Sequence, residues 1–111
     1  MVHVEILKYD DGSIKGFKLR GHAGFADKGK DIVCAAVSVT VINTINSIEA
    51  LLPEDGSKMD VYSEENKGII SCLFNEKPSK EAELLLNSMY LGLKTIKEEY
   101  GEKYLELLDT F

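Results

Sequence analysis

A chain of 111 residues and 12.3 kDa has the size of one domain, expected to span 1–111 around one hydrophobic core. Apolar residues at 44% and charged residues at 29% exclude a disordered chain, and two cysteines exclude a disulfide scaffold and fit a reducing cytoplasm. A net charge of −6 disfavours direct nucleic-acid binding, which needs a basic footprint, and suits a basic peptide or protein partner.

Residues 1–9 carry charges and do not read as a signal peptide. No apolar run is expected to reach the length of a membrane span. Val2, Val4 and Ile6 alternate with His3 and Glu5, the period of a half-buried strand. Asp10-Asp11-Gly12-Ser13 is a turn signal, and 14–20 reads as a second strand with Phe17 and Leu19 facing the core. Gly16 marks an expected bulge. A loop with glycines at 21, 24 and 29 follows over 21–30. The stretch 32–52 holds no Gly or Pro and is too long for one strand. Cys34, Val37, Val41, Ile45, Ile48 and Leu52 recur at helical spacing, with Thr40, Asn43, Thr44 and Ser47 on the opposite face. Asp31 stands where an N-cap belongs, and Pro53 ends the helix.

Two further strands are expected at 58–63 and 69–74, joined by Glu64-Glu65-Asn66-Lys67-Gly68. A second helix starts at Pro78-Ser79 and presents Ala82, Leu85, Leu86, Met89, Leu93, Ile96 and Tyr100 on one stripe until Gly101 breaks it. Residues 102–108 read as one or two more helical turns. The order ββαββα predicts an α+β two-layer sandwich, a mainly antiparallel sheet with helices packed on it.

The chemistry concentrates around the glycine-rich loop. With Asp31 as N-cap, Cys34 falls in the first helical turn, where unpaired N–H groups and the helix dipole favour a thiolate. His22 ends the strand that feeds the loop, and a histidine beside a cysteine is the minimum apparatus of a thiol nucleophile with its base. A cysteine on an apolar helix stripe is, taken alone, more often packing. Asp31 has two readings: a helix cap, or the third group that orients His22. Ser38 lies one turn beyond Cys34 and either bonds near the site or back-bonds to the helix. Gly21, Gly24 and Gly29 give the loop freedom to move over a substrate.

Three other readings compete. Gly24 to Lys30 fits the G-x-x-x-x-G-K phosphate loop, but Asp31 replaces the Ser or Thr that holds magnesium, and its charge opposes phosphate. His3, His22, Cys34 and Cys72 lack the paired spacing of zinc ligands, so no metal is expected, and no cofactor. Cys72, mid-strand, reads as an inert buried thiol. A non-catalytic module that binds a peptide through the same loop is the main alternative to an enzyme.

Gly21-His22-Ala23-Gly24, followed by Gly29-Lys30-Asp31-Ile32-Val33-Cys34-Ala35-Ala36-Val37-Ser38, closely resembles the ribosomal-processing cysteine proteases of bacteria. The resemblance covers nearly the whole chain in length and element order. It implies a small α+β fold, a homodimer, and a catalytic pair with His22 as general base and Cys34 as nucleophile. It implies as substrate the N-terminal extension of a large-subunit ribosomal protein (L twenty-seven), removed in ribosome assembly. No membrane and no direct nucleic-acid contact is expected for such an enzyme.

Overall fold

The computed structural model describes the backbone of residues 1–21, 28–64 and 67–111, and their side chains apart from 28–31. Strands β1 (Val2–Lys8) and β2 (Ile14–Arg20) form the expected antiparallel hairpin. Its turn is closed by Asp11, which accepts bonds from the Ser13 amide (2.9 Å) and hydroxyl (2.6 Å). Helix α1 (Lys28–Leu51) and the single turn α2 (Pro53–Gly56) follow, then the hairpin of β3 (Met59–Glu64) and β4 (Ile69–Phe74). Helix α3 (Lys80–Tyr100) and strand β5 (Leu105–Thr110) complete the chain. The five strands lie in the order β3-β4-β2-β1-β5, and all neighbours are antiparallel except β1 with β5. Helices packed on a mainly antiparallel sheet are the α+β architecture expected from the sequence.

Alternation decides which sheet face is covered. Val2, Val4, Ile6, Phe17 and Leu19 meet Val33, Val37, Val41 and Ile48 of α1 and Leu86, Met89 and Leu93 of α3, all of them buried. Each such side chain contributes about 1.5–3 kcal/mol of burial. The expected bulge is present: pairing shifts between Leu7 and Lys8 opposite Gly16 and Ile14, so Lys15 is the extra residue. Gly16 itself answers to β4, since a Cβ there would stand 2.5 Å from the Cys72 carbonyl oxygen.

The structure corrects several expectations. Residues 102–108 are not helical: β5 starts at Leu105 and adds a fifth strand in parallel to β1. Side chains tie the pair together, His3 Nδ1 to Glu106 Oε1 at 2.7 Å and Thr110 Oγ1 donating to Glu5 Oε2 at 2.8 Å. Helix α1 begins at Lys28, so Asp31 is its fourth residue and not its N-cap, and Gly29 belongs to the helix and not to a loop. Thr44, expected on the polar face, is buried and donates its hydroxyl to the Thr40 carbonyl at 2.8 Å. Ile32–Leu51, with a mean hydropathy of 1.5, is long and apolar enough by length and composition to cross a membrane, contrary to the expectation that no run would be. Its buried side is a wall of the core just described.

A buried carboxylate locks the start of α3. Ser79 caps that helix by accepting from the Ala82 amide at 3.1 Å, and both its own amide (2.8 Å) and its hydroxyl (2.7 Å) donate to Asp55 of α2. Burial alone would raise the pKa of Asp55. The two Ser79 bonds and the Lys58 charge outweigh it and hold the carboxyl below the usual carboxylate range. A depressed folded-state pKa stabilises above the unfolded value, near pH ~4, and that stabilisation is lost as the pH falls below it through the folded value. Asp55→Ala should therefore cost about 1–3 kcal/mol at pH 7 and a smaller amount at pH 3, read from urea unfolding at both. An equal cost at the two pH values would contradict this role.

Candidate active site

One side of α1 borders a cleft of about 500 Å³. Cys34, Ser38, Ile42, Ile45, Asn46 and Glu49 line it from the helix, with Leu19 of β2, Val61 and Ser63 of β3 and Ile69 and Ile70 of β4 opposite. Steps of three or four residues put the helix contributors on one stripe, beside the stripe of Val33, Val37, Val41 and Ile48 that fills the core. Cys34 thus stands at the margin of the core, packed against it on one side and bordering the cleft on the other. It is half-buried and presents a free thiol to the cleft.

Gly21 lines the cleft, its amide donating to the Gly68 carbonyl at 3.1 Å. Its φ of 121° lies in the left-handed region. A Cβ on it would sit 2.5 Å from the Met1 carbonyl oxygen. Backbone strain and steric exclusion therefore both demand glycine. Gly21→Ala should cost roughly 2 kcal/mol and reduce peptidase activity by displacing the chain at residue 22. Activity assays beside thermal unfolding check it, and an alanine variant with unchanged melting temperature would contradict the geometry.

The structure brings Cys34, Ser38 and Gly21 to one cleft. His22 and Gly24 lie outside the described residues, and the side chain of Asp31 does too. The phosphate-loop segment falls partly outside them as well, and its Lys28, Gly29 and Lys30 are the first turn of α1. That helix start also moves Cys34 one turn inward, to the seventh helical residue. An amide at that depth is committed to the carbonyl four residues earlier, so the Cys34 N–H does not supply an oxyanion donor. Among the described residues, no three His, Cys, Asp or Glu side chains gather to hold a metal ion.

Cys72 contrasts with Cys34. It is buried in β4 with its thiol 3.5 Å from the Met59 sulfur. Burial first, then the negative charges of Glu49 and Asp60, push its pKa up to about 12. Such a thiol is not a nucleophile at neutral pH. Asn46 and Glu49 were not singled out by sequence reasoning. Their signal was the same helical period as Cys34 and Ser38, which becomes informative only once β3 stands across from it.

The fold and site define a class, an α+β protein that offers a half-buried free thiol to a cleft between a helix and a sheet. Comparison with known proteins agrees. The family described as "Cysteine protease Prp" matches residues 1–105. The ribosomal processing cysteine protease Prp of Staphylococcus aureus is 33% identical over 102 residues, 92% of this chain and 93% of that protein. The Bacillus subtilis protein of the same name is 31% identical over 106 residues, 92% of this chain and 92% of that protein. A crystal structure of the S. aureus protease with a substrate peptide has a TM-score of 0.87 at 30% identity, covering 99% of this chain and 100% of that one. Another, with a covalently linked product peptide, has a TM-score of 0.83 at 32% identity, with 99% and 100% covered. The chain belongs to the Prp cysteine protease family, and it is a cysteine-type peptidase.

Proposed function

We propose that this peptidase removes the N-terminal extension of a large-subunit ribosomal protein (L twenty-seven) during ribosome assembly, with Cys34 as nucleophile and His22 as general base. The observation that carries the assignment is the thiol of Cys34 in a cleft that Gly21, the residue before His22, also lines. His22 takes the thiol proton and the sulfur attacks the scissile carbonyl carbon. The amide nitrogen leaves with that proton, and the segment N-terminal to the cut stays on Cys34 as a thioester. Water, deprotonated by His22, then attacks the thioester, and the thiolate leaves and is reprotonated. Ser38, one turn along the same wall, is a supporting residue that steadies the bound peptide, and Asp31 supports from the first turns of α1. The S. aureus relative, solved with substrate and with covalently linked product, supports this order of events.

Two free cysteines and a ribosomal substrate fit action in the cytoplasm. A charge of −6 suits capture of a basic ribosomal chain without adhesion to RNA. We also propose a homodimer, because the outward sides of α1 and α3 leave Val39, Leu84 and Leu91 largely exposed. The experiment that tests the function is incubation with the ribosomal protein carrying its extension, followed by mass spectrometry. One cut at the extension boundary is the expected result, and an unchanged mass would overturn the assignment.

A further inference from the structure

We infer that Glu49 is a specificity-determining residue that binds a cationic side chain of the substrate, about six or seven residues from the scissile bond. The inference rests on the peptidase reading above and adds to it a charge requirement at a stated distance. Cys34 and Glu49 stand at opposite ends of one helical stripe on the cleft wall. At about 1.5 Å per helical residue they are separated by roughly 22 Å along α1. An extended peptide advances about 3.3 Å per residue and covers that distance in six or seven residues.

What lies between the two ends sets the rest of the pattern. Ile42 and Ile45 on the helix face Val61 and Ile70 on the sheet, so the middle of the cleft accepts apolar side chains. Val61 stands on β3, which pairs only with β4 and is an edge of the sheet. A sheet edge bordering an apolar slot is suited to an extended chain, with alternate side chains seated in the slot. Glu49 is exposed, and its negative charge reaches the neighbouring core, where it adds to burial in raising the Cys72 pKa. A carboxylate at the end of an apolar slot selects a Lys or Arg there, and disfavours an acidic residue by repulsion.

The test uses fluorogenic peptides that differ at one position, Lys, Ala or Glu, placed five to eight residues from the cut on either side of it. Wild-type kcat/KM should fall about two- to fivefold from Lys to Ala at the sixth or seventh position, chiefly through KM, and the difference should shrink with added salt. Glu49→Gln should abolish the difference, and Glu49→Lys should reverse the order so that the Glu peptide is preferred. Anisotropy of the same labelled peptides on the Cys34→Ala variant and on Cys34→Ala with Glu49→Gln reads binding without chemistry. A Glu49-dependent preference in binding with no cleavage by the wild type would uphold the charge recognition at Glu49 and remove the peptidase reading beneath it. A Lys-to-Ala ratio equal in wild type and Glu49→Gln, in both cleavage and binding, would overturn it.

Discussion

Cys34→Ala should lower peptide cleavage by at least about 1,000-fold in kcat, while Cys72→Ala keeps it close to wild type. The two thiols share a chain but not an environment. Cys34 is half-buried on a cleft wall, whereas Cys72 is inside the sheet's packed face. With a pKa raised to about 12, only about one Cys72 in 100,000 would be thiolate at neutral pH. Cys72→Ala removes a sulfur from the core and should cost on the order of 1 kcal/mol of stability, with no direct cost in rate. Cys34→Ala should show the opposite, with a nearly wild-type urea midpoint and no activity. A peptide assay paired with urea unfolding for both variants separates the roles. Full activity in Cys34→Ala would remove the nucleophile from the mechanism.

His22→Ala has the second largest expected effect, a loss of about 100- to 10,000-fold in kcat/KM. Without the imidazole, nothing in the proposed mechanism takes the thiol proton or delivers it to the leaving amide nitrogen. A base-deletion variant has a signature that a folding defect lacks, since added free imidazole restores part of the rate. The measurement is kcat/KM with and without imidazole, beside an unfolding curve. Wild-type activity in His22→Ala would exclude the histidine as base.

Much of the architecture was legible because local signals agreed with the tertiary result. Val2, Val4 and Ile6 alternate and do face the helices, and the strand expected at 69–74 is Ile69–Phe74. Ser79 and Gly101 bound α3 as cap chemistry predicts. Strand β5 was not legible, because Leu105-Glu106-Leu107-Leu108 is built of good helix formers. Its partner, β1, sits at the far end of the chain, and pairing with it decides the conformation. Residues Lys28-Gly29-Lys30 looked like loop because of the glycine, yet a helix tolerates one glycine at about 1 kcal/mol.

The site divides in the same way. Cys34 and Ser38 could be picked out from position and residue type, and the structure places both on the cleft. Their periodic neighbours Asn46 and Glu49 could not, since a helix face becomes a binding wall only when a sheet stands across from it. Reading Cys34 with Val37 and Val41 as one apolar stripe merged two adjacent faces, one packed on the core and one open to the cleft. A sequence period alone does not resolve faces that differ by one residue in register.

The central claim is that the peptide is held as a thioester on Cys34 during turnover. Acid quenching in the first turnover, followed by intact-mass and peptide-mapping mass spectrometry, tests it most directly. The account predicts an adduct with the mass of the segment N-terminal to the cut, mapped to Cys34 and absent from Cys72. Turnover without any adduct on Cys34 under those conditions, or an adduct on another residue, would contradict it.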